Sequence, residues 1–418
     1  MILGVIADDF TGATDVASML VRAGMSTVQV IGVPVGDAPT ADAVVVALKS
    51  RTAPRDQAVD ESLRALRWLK QGGARQIYFK YCSTFDSTDE GNIGPVGDAL
   101  MAALDATQTI ACPALPENGR TIFKGHLFVG DALLSDSSMR DHPLTPMRDA
   151  NLVHVLQAQT PRTVGLTAYN TVGLGAEAIQ AQWAQHPQTH WWVVDAIDNA
   201  ALATIAQACA DLPLITAGSG VALGLPKVYE QRGWLTRNTQ AAQLDALQGR
   251  ALVLSGSCSS QTLAQVAQWI ERQLPAYQLD PLLIHADPEQ TFQQALVWLS
   301  GQPEPALIYA SAQQETVQRV QKKLGATHAG ELVETMLARL AKAAVAQGVN
   351  RIVVAGGETS GAVVQALNVQ QLRIGHSIAP GVPWTQAVDR PLQLALKSGN
   401  FGGVDFFFEA LHTKAPAS

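Results

Sequence analysis

Cysteine is scarce in this sequence, and the few thiols are scattered along the chain. The 418 residues include four cysteines: Cys82, Cys112, Cys209 and Cys258. No two of them form a C-x-x-C pair, which argues against a zinc knuckle and against a disulfide framework. Reduced thiols are typical of a reducing compartment, so we expect a cytoplasmic protein.

The sequence also lacks a long apolar run and a dense basic tract. The N-terminal stretch MILGVIADD has no basic flank and reaches Asp8 too early for a signal peptide or a membrane span. The formal net charge is −7, and no cluster of Lys and Arg alternates with aromatic residues. We therefore expect no membrane and no nucleic-acid partner. A small anionic substrate is compatible with this charge, because a few cations in a cleft suffice to bind it. Association into a homo-oligomer stays open.

Familiar nucleotide and metal motifs are missing as well. There is no G-x-x-x-x-G-K-[ST] and no protein-kinase H-R-D or D-F-G set, which excludes a P-loop NTPase and a protein kinase. The run from Gly218 to Gly224 is one residue too long for G-x-G-x-x-G, so it favours helix packing over NAD binding. His186 and His190 are four residues apart, but Pro187 interrupts any helix between them. The metal ligands therefore stay unknown.

What the chain does contain is a series of short apolar runs separated by helical patterns. Runs that are apolar on both faces and alternate with helices predict parallel sheets covered on both sides, so the fold class is α/β. The length favours two domains, and a polar stretch before Gly249 places their boundary near residue 240, giving domains 1–240 and 241–418. The runs are GVIADD, AVVVALKS, QIYFKY, TIACPA, TVGLTAY, HWWVVDA, LPLITAG, RALVLSG, LLIHAD, ALIYAS, RIVVAGG and LQLALKSG.

Polar residues follow several of these runs, where ligands bind in open parallel sheets. In the first domain they are Asp8, Asp9, Thr11 and Gly12, then Arg51, then Lys80, Ser83, Thr84 and Asp86. Carboxylates, cations and hydroxyls together suit a small polyhydroxy acid. A single Asp or Thr here could simply cap the following helix, but a cap needs only one of the two carboxylates. Lys124, in KGH, either adds to this pocket or lies in a turn.

Three loops of small residues follow strands of the second domain. A Gly-rich turn at a helix N-terminus offers unpaired N–H groups and a favourable dipole to a phosphate. Each loop alone could be a tight turn, but three in one domain favour a nucleotide site. Their candidate ligand-binding residues are Ser257 and Ser259, then Gly356, Gly357, Glu358, Thr359, Ser360 and Gly361, and finally Gly402 and Gly403.

These stretches, in this order, resemble the four-carbon acid sugar kinase family over nearly the whole chain. The specific motifs are ADDFTGATD, KYCSTFDSTDEGNIGP, HPLTPM, AGGETSGAV, APGVPW and LKSGNFGG. The KYCSTFDST form is similar to the 3-oxo-tetronate kinase branch, whereas threonate and erythronate kinases carry a shorter version.

The resemblance implies an N-terminal acid-sugar-binding domain, a C-terminal ATP-binding domain and phosphoryl transfer in the cleft between them. The reaction would phosphorylate the 4-hydroxyl of a 3-oxo-tetronate, with ATP and Mg²⁺ as cofactors. We expect Asp9 to be the base or hydroxyl-orienting group, ahead of Asp8 and Asp86. Arg51, Lys80 and Lys124 would anchor the substrate carboxylate.

Two other functions are weighed against this one. An NAD-dependent hydroxy-acid dehydrogenase would use the run from Gly218 to Gly224. A non-catalytic sugar-acid sensor would keep the first-domain pocket but has no use for three Gly-rich loops. Within the family, a kinase of D-threonate or erythronate is the alternative, since no motif reports the stereochemistry of the acid.

Overall fold

A computed structural model describes residues 1–142, 144–247, 249–302 and 305–412 of the chain. Pro143, within the HPLTPM motif, lies outside the described residues, as do the last six residues of the predicted second domain. The chain divides into two compact units, Met1–Ala241 and Ala242–Ser418.

The N-terminal unit alternates strands and helices. Its strands are β1 (Leu3–Ala7), β2 (Thr27–Ile31), β3 (Ala43–Ala47), β4 (Gln76–Lys80), β5 (Thr109–Ala111), β6 (Arg120–Phe123), β7 (His126–Val129), β8 (Ala132–Leu133), β9 (Val164–Thr167), β10 (Trp191–Val194) and β11 (Leu214–Ala217). Its helices are α1 (Phe10–Arg22), α2 (Arg55–Gln71), α3 (Ile93–Ala103), α4 (Leu152–Gln159), α5 (Tyr169–Val172), α6 (Ala176–Gln185), α7 (Asn199–Ala208) and α8 (Leu225–Gln231).

The main sheet of this unit has the order β11-β4-β1-β3-β2, and its neighbouring strands are parallel. Every residue of β1, β3 and β4 is buried, as expected for strands covered on both faces. The first strand lies in the middle, between β3 and β4, so the chain crosses from one side of β1 to the other. Ligands in such sheets bind at this kind of switch point, beyond the carboxyl ends of the strands.

Two smaller sheets complete the N-terminal unit. One is parallel, with the order β5-β10-β9, and its first strand continues into a bridge between Cys112 and Ala217 of the main sheet. The other is an antiparallel meander, β6-β7-β8. The sequence pattern did not predict this meander, because its strands are short and only partly buried.

The C-terminal unit is built in a similar way. Its strands are β12 (Arg250–Ser255), β13 (Ala276–Gln278), β14 (Ala306–Tyr309), β15 (Val349–Ala355), β16 (Gln371–Ala379), β17 (Val382–Ala387) and β18 (Gln393–Lys397). Its helices are α9 (Ser260–Glu271), α10 (Pro281–Ala286), α11 (Pro288–Ser300), α12 (Gln314–Leu324), α13 (Ala326–Ala346), α14 (Gly357–Ala366) and α15 (Phe406–His412).

The strands of this unit have the order β16-β17-β18-β15-β12-β14-β13. From β18 to β13 neighbouring strands are parallel, whereas β17 is antiparallel to both of its neighbours, β16 and β18. Aromatic residues of α9, β17 and α15, namely Trp269, Trp384, Phe406 and Phe407, pack into one buried cluster with the sheet. Because β12, β14, β15 and β18 are parallel, the loops that follow them leave the same edge of the sheet.

One strand prediction is wrong. The run LLIHAD lies in α10, a helix that begins at Pro281. Asp280 caps this helix by accepting a hydrogen bond from the backbone N–H of Leu282 at 2.8 Å. Proline in the first turn of a helix, preceded by a capping aspartate, is a helix-start signal that outweighs a short apolar run.

Candidate active site

The polar residues that follow β1, β3 and β4 meet at one edge of the N-terminal sheet. Hydrogen bonds continue beyond the strand ends and hold the loops together. The Asp8 N–H donates to the Lys80 carbonyl at 3.0 Å, and the Ser50 N–H donates to the Asp8 carbonyl at 2.9 Å. The side chains of three separate loops are thereby brought to one place.

Arg51 is the centre of this cluster. Its guanidinium binds Asp8 through two bonds, from Nε to Oδ2 at 2.9 Å and from Nη2 to Oδ1 at 3.0 Å. It also lies 2.8 Å from Asp9 Oδ1 and 3.5 Å from Asp86 Oδ2. Since the planar guanidinium has five N–H donors in a fixed fork, one arginine can orient several carboxylates. The structure therefore gives Arg51 three acidic partners.

Asp9 has two structural bonds besides its ion pair. Its Oδ1 accepts the Gly12 N–H at 3.0 Å and caps α1, and its Oδ2 accepts the Thr11 hydroxyl at 2.8 Å. The Asp9 side chain is 25% exposed, whereas that of Asp8 is only 6% exposed. Of the two adjacent carboxylates, Asp9 is the one that a ligand can reach.

The same surroundings move the pKa values of the two carboxyls apart. Burial raises the pKa of Asp8, and Arg51 only partly offsets it. Burial also disfavours ionised Asp9, but Arg51, Lys80 and the bonds from Thr11 and Gly12 outweigh it and lower the pKa of Asp9. Adjacent carboxyls with opposite shifts are typical of sites that handle protons.

Lys80 and Gly12 lie next to Asp9. The Lys80 ammonium is buried and donates to the Tyr81 carbonyl at 2.8 Å. A Cβ on Gly12 would lie 2.8 Å from Lys80 Nζ, so glycine allows the ammonium to approach the helix N-terminus. Asp15, one turn into α1, also interacts electrostatically with the Lys80 ammonium. Our sequence analysis missed Asp15, although it is the last residue of the ADDFTGATD motif.

The loop after β4 brings hydroxyls and a third carboxylate to the cluster. Thr84 donates from its hydroxyl to Asp86 Oδ1 at 2.6 Å, while the other oxygen of Asp86 faces Arg51. Ser83 is partly exposed beside them. Burial and the nearby Asp86 raise the pKa of Cys82 to about 12, so this thiol is not a nucleophile at neutral pH.

Lys124 lies in a tight turn of the β6-β7 hairpin. Phe123 pairs with His126, and both Lys124 and Gly125 have positive φ values, 51° and 76°. Two central residues with positive φ are the mark of a two-residue hairpin turn. The two turn N–H groups donate to the Asp195 carboxylate at 2.7 and 2.8 Å, which fixes the turn. Among the contacts described for the chain, none joins Lys124 to the Arg51 cluster.

Removing the Arg51 charge should destabilise the fold. Arg51→Met leaves buried carboxylates without a partner, so we expect the free energy of unfolding to fall by about 3 kcal/mol at neutral pH. Arg22→Met is the matched control, because Arg22 pairs with Glu117 on the surface, and its loss should cost less than about 1 kcal/mol. Urea denaturation measures both values.

The pH dependence tests the cause of this loss. The Arg51→Met deficit should shrink as the pH falls, because the carboxyls take up protons and no longer need a counter-charge. Equal losses for the Arg51 and Arg22 variants, or a deficit that does not change with pH, would contradict the electrostatic role of Arg51.

In the C-terminal unit, the loops after β12 and β18 are in direct contact. The Ser257 hydroxyl donates a hydrogen bond to the Ser259 hydroxyl. Ser259 also caps α9 by accepting the Thr262 N–H at 3.3 Å. A Cβ on Gly399 would lie 2.6 Å from the Ser257 hydroxyl oxygen and 2.9 Å from that of Ser259. Glycine at 399 thus allows the β18 loop to approach both hydroxyls.

The loop after β15 runs directly into α14. Gly356 has a φ of 127°, a conformation that favours glycine, and its N–H donates to the Lys397 carbonyl at 2.9 Å. A Cβ on Gly357 or Gly361 would meet no atom within 4 Å. Thr359 and Ser360 are buried, whereas Gly357 and Glu358 are exposed at the helix N-terminus. The first turn of α14 is therefore open to a ligand.

Lys397 is a further residue of this site that our sequence analysis did not single out. Its side chain is fully buried, and its ammonium donates to Thr262 Oγ1 and to the carbonyls of Ser398 and Gly399, each at 3.0 Å. Burial lowers the pKa of Lys397 to about 8. The lysine thus holds the β18 loop against the start of α9. The sequence showed a cation beside a Gly-rich loop but not its burial.

Gly402 and Gly403 belong to the same β18 loop. The side-chain amide of Gln265 donates to the carbonyls of Phe401 and Gly403 at 3.0 and 2.9 Å, and that of Gln261 donates to Gly402 at 2.8 Å. A Cβ on Gly403 would meet no atom within 4 Å. Helix α9 therefore fixes the backbone of this loop, while Gly403 faces open space.

A cavity of about 680 Å³ lies beside these loops, within the range typical of ligand sites. It is lined by Gly256 and Ser257 after β12 and by Gly356, Gly357 and Thr359 after β15. Two of the three loops predicted to bind phosphate thus border one cavity. The third loop contacts it through Gly399 and the two serines.

The run from Gly218 to Gly224 has a packing role. A Cβ on Gly218 would lie 2.7 Å from the Pro113 carbonyl oxygen, and one on Gly224 would lie 2.6 Å from Ala206 Cβ. Protein atoms thus occupy the space that a dinucleotide would need at these glycines.

Within the described residues, no three His, Cys, Asp or Glu side chains come close enough together to hold a metal ion. None of the helices in the described ranges has both the length and the hydropathy needed to span a bilayer.

Each of the two units is matched by a model of a known protein family. A model of a sugar-binding N-terminal domain matches residues 3–225, and a model of a nucleotide-binding C-terminal domain matches residues 252–407. The chain belongs to the four-carbon acid sugar kinase family.

The chain is also similar to individual kinases and to solved structures over nearly its whole length. A 3-oxo-tetronate kinase from Cupriavidus necator is 57% identical over 98% of this chain and 96% of its own length. One from Burkholderia multivorans is 56% identical over the same shares. A crystal structure from Salmonella typhimurium LT2 matches with a TM-score of 0.90 at 45% identity, covering 98% of each chain. A Haemophilus influenzae structure matches with a TM-score of 0.84, also at 45% identity, covering 98% of this chain and 99% of its own. The predicted family and the predicted α/β class are confirmed.

Proposed function

We propose that this protein is a kinase that transfers a phosphoryl group from ATP to the 4-hydroxyl of 3-oxo-tetronate, giving 3-oxo-tetronate 4-phosphate. The observation that carries the proposal is the 57% identity, over 98% of the chain, to a protein named 3-oxo-tetronate kinase. The acidic cluster after β1 and the Gly-rich loops of the C-terminal unit supply the two kinds of chemistry that this reaction requires.

The acid sugar binds in the N-terminal unit. Asp9 accepts a hydrogen bond from the hydroxyl that is phosphorylated and takes its proton, because it is the more exposed of the two adjacent carboxylates. Arg51 orients Asp8, Asp9 and Asp86. It binds the substrate carboxylate only through an N–H group of the guanidinium that is not used by these three acids. The remaining contacts to the acid sugar come from Thr11, Gly12, Lys80, Ser83 and Thr84.

The nucleotide binds in the C-terminal unit. The N–H groups at the start of α14 and the hydroxyls of Ser257 and Ser259 bind phosphate oxygens, since helix N-termini favour anions. The open space beside Gly357 fits an approaching phosphate. A Mg²⁺ ion would neutralise charge on the phosphates, and one or two carboxylates of the protein would help to hold it. Glu358, which lines the cavity, is the carboxylate we propose for this role.

The affinity for ATP should depend on the charge of Lys397. The pKa of Lys397 is about 8, so raising the pH from 7 to 9 removes the ammonium proton. We expect the Kd for ATP to rise by up to about tenfold over this range. Lys397→Met should bind ATP weakly and without this pH dependence, whereas Lys342→Met, at an exposed position of α13, should keep the pH dependence of wild type. Calorimetric titration at both pH values measures the effect.

Unfolding cannot account for that loss of affinity. Folding lowers the pKa of Lys397, so the unfolded chain binds more protons between pH 8 and the normal lysine pKa. The contribution of this group to the free energy of unfolding therefore increases with pH in this window. A Kd for wild-type ATP binding that is constant from pH 7 to pH 9 would contradict the role of Lys397.

The function itself is tested by ADP release. The purified protein is incubated with Mg-ATP and each of D- and L-threonate, D- and L-erythronate and their 3-oxo forms. Turnover limited to the 3-oxo acids is the expected result. Turnover of a plain threonate or erythronate would keep the kinase and overturn its substrate. If no acid releases ADP but one of them binds, a sugar-acid sensor becomes the better account.

A further inference from the structure

A buried asparagine, Asn92, directly precedes α3 in the DEGNIGP part of the long motif that follows β4. An asparagine in this position normally accepts a hydrogen bond from an N–H group in the first turn of the helix. Asn92 does not do so: its backbone has φ and ψ of −97° and −5°, and its side chain makes no capping bond. The contacts that explain this side chain therefore lie outside the helix.

The side-chain amide of Asn92 binds the loop that carries Arg51. Its NH2 group donates to the carbonyls of Ser50 and Ala53, each at 2.9 Å, and to that of Arg51 at 3.4 Å. The N–H groups of Ser50 and Arg51 in the same loop donate to the Asp8 carbonyl. Asn92, which is only 8% exposed, thus supplies the donors for the carbonyl side of the loop. Buried carbonyls without a donor would be costly.

The position of Asn92 is itself fixed from both sides. A Cβ on Gly91 would collide with the Ser87 side chain, so the turn before Asn92 is closely packed. After Asn92, the Gly94 N–H donates to the side-chain oxygen of Gln159 at 2.9 Å. A Cβ on Gly94 would lie 2.8 Å from the backbone carbonyl oxygen of Gln159. The two glycines of the motif therefore hold the amide in one place.

Asn92 connects the two loops whose side chains meet at Arg51. It ends the loop after β4, which carries Asp86, and it binds the loop after β3, which carries Arg51. Asn92, Arg51, Asp8 and Asp86 also line one small cavity. The contact between Arg51 and Asp86, at 3.5 Å, is the longest of the three contacts that Arg51 makes with carboxylates. It is the contact that a shift between the two loops would break first.

We propose that Asn92 is a positioning residue, whose side-chain amide holds the Arg51 guanidinium against Asp9 and Asp86. This inference rests on the proposed function, because it takes Asp9 as the base and Arg51 as a ligand of the substrate carboxylate. An amide suits this role, since it offers two N–H groups and no charge. A carboxylate of the same shape would have no donor for the carbonyls and would add a fourth negative charge beside Arg51.

The proposal is tested with Asn92→Leu, which removes the donors without adding a charge. A misplacement of about 1 Å in an active site can cost on the order of 100-fold in rate, so we expect kcat/KM for 3-oxo-tetronate to fall by about 100-fold. The Kd for ATP should be unchanged, because the glycine loops belong to the other unit. Steady-state ADP release and calorimetry measure the two quantities.

Gln76→Leu is the matched control. Gln76 is also buried, and its side-chain amide donates to the carbonyls of Cys209 and Leu212 at 3.0 and 2.7 Å. It lies at the first residue of β4, whereas the acidic cluster lies beyond the carboxyl end of that strand. The substitution thus removes the same kind of buried bonds away from the site, and its kcat/KM should match that of wild type.

The pH profile separates positioning from a loss of stability. Burial disfavours ionised Asp9, and Arg51 is the largest of the influences that lower the pKa of Asp9. If Arg51 moves away, this pKa rises, so the acidic limb of the kcat/KM profile should move to higher pH in Asn92→Leu. It should stay in place in Gln76→Leu. The charged groups that interact with Asp9 are Asp8, Arg51, Lys80 and Asp15.

Three results would overturn the positioning role: a wild-type kcat/KM in folded Asn92→Leu, an equal loss in Gln76→Leu, or a loss with an unmoved acidic limb. Asn92→Ala removes the same donors with a smaller side chain and should move the limb in the same direction, so it replaces the leucine variant if leucine prevents folding. If wild type releases no ADP with any of the acids, the proposed function fails, and the role of Asn92 fails with it.

Discussion

Asp9→Asn is expected to lower kcat by about 100-fold or more, the scale of lost acid-base help. Asparagine has the same shape and also caps helices well, so its Oδ1 can still accept the Gly12 N–H, while its amide NH2 donates to the Thr11 hydroxyl instead of accepting from it. What the variant loses is the negative charge that Arg51 and Lys80 hold ionised. The affinity for ATP should be unchanged, because the glycine loops belong to the other unit. Steady-state ADP release gives kcat, and calorimetry gives the affinity.

Asp198→Asn is the control for Asp9→Asn. Asp198 caps α7 in the same unit by accepting the Ala201 N–H at 2.7 Å, so the substitution has the same effect on a helix start. Its kcat should match that of wild type. Full activity in Asp9→Asn would remove Asp9 from catalysis. Equal loss of activity in both variants would show that helix capping, and not the carboxylate charge, was being measured.

The gross placement of both sites followed from one physical rule. Parallel strands deliver the residues after them to one edge of a sheet, so Asp9, Arg51 and Lys80 could be grouped although they are far apart in sequence. The same rule grouped Ser257 with Gly356. Apolar runs identified these strands because both faces of each strand are buried. The roles assigned to the individual residues stay predictions.

Other features depend on side-chain geometry that no pattern reports. The sequence does not show that Arg51 binds three carboxylates, because this depends on how three loops converge. The burial of Lys397 is likewise a consequence of how the β18 loop folds over α9. The sequence pattern did not predict strands β16 and β17, because they form an antiparallel hairpin inside a series of strand-helix repeats.

Gly357→Val is expected to weaken ATP binding strongly without harming the fold. The Cβ of a residue at 357 meets no protein atom within 4 Å, so the added side chain points into the space proposed for the phosphates. Losing a hydrogen bond to a charged group costs about 1.5–3 kcal/mol. The Kd for ATP should therefore rise by roughly 10- to 100-fold. Calorimetry measures the Kd, and thermal unfolding checks the fold.

Position 357 is more informative than its neighbour. Gly356 has a φ of 127° and its Cβ would lie 2.9 Å from Thr359 Oγ1, so valine there would strain the protein whether or not ATP binds. Gly301→Val, at the end of α11 with no atom within 3.4 Å of its Cβ, is the control for adding the same side chain outside the cavity. It should bind ATP like wild type. Unchanged ATP affinity in Gly357→Val would refute phosphate binding at α14. A variant that binds ATP like wild type must be folded, so misfolding could not explain that result.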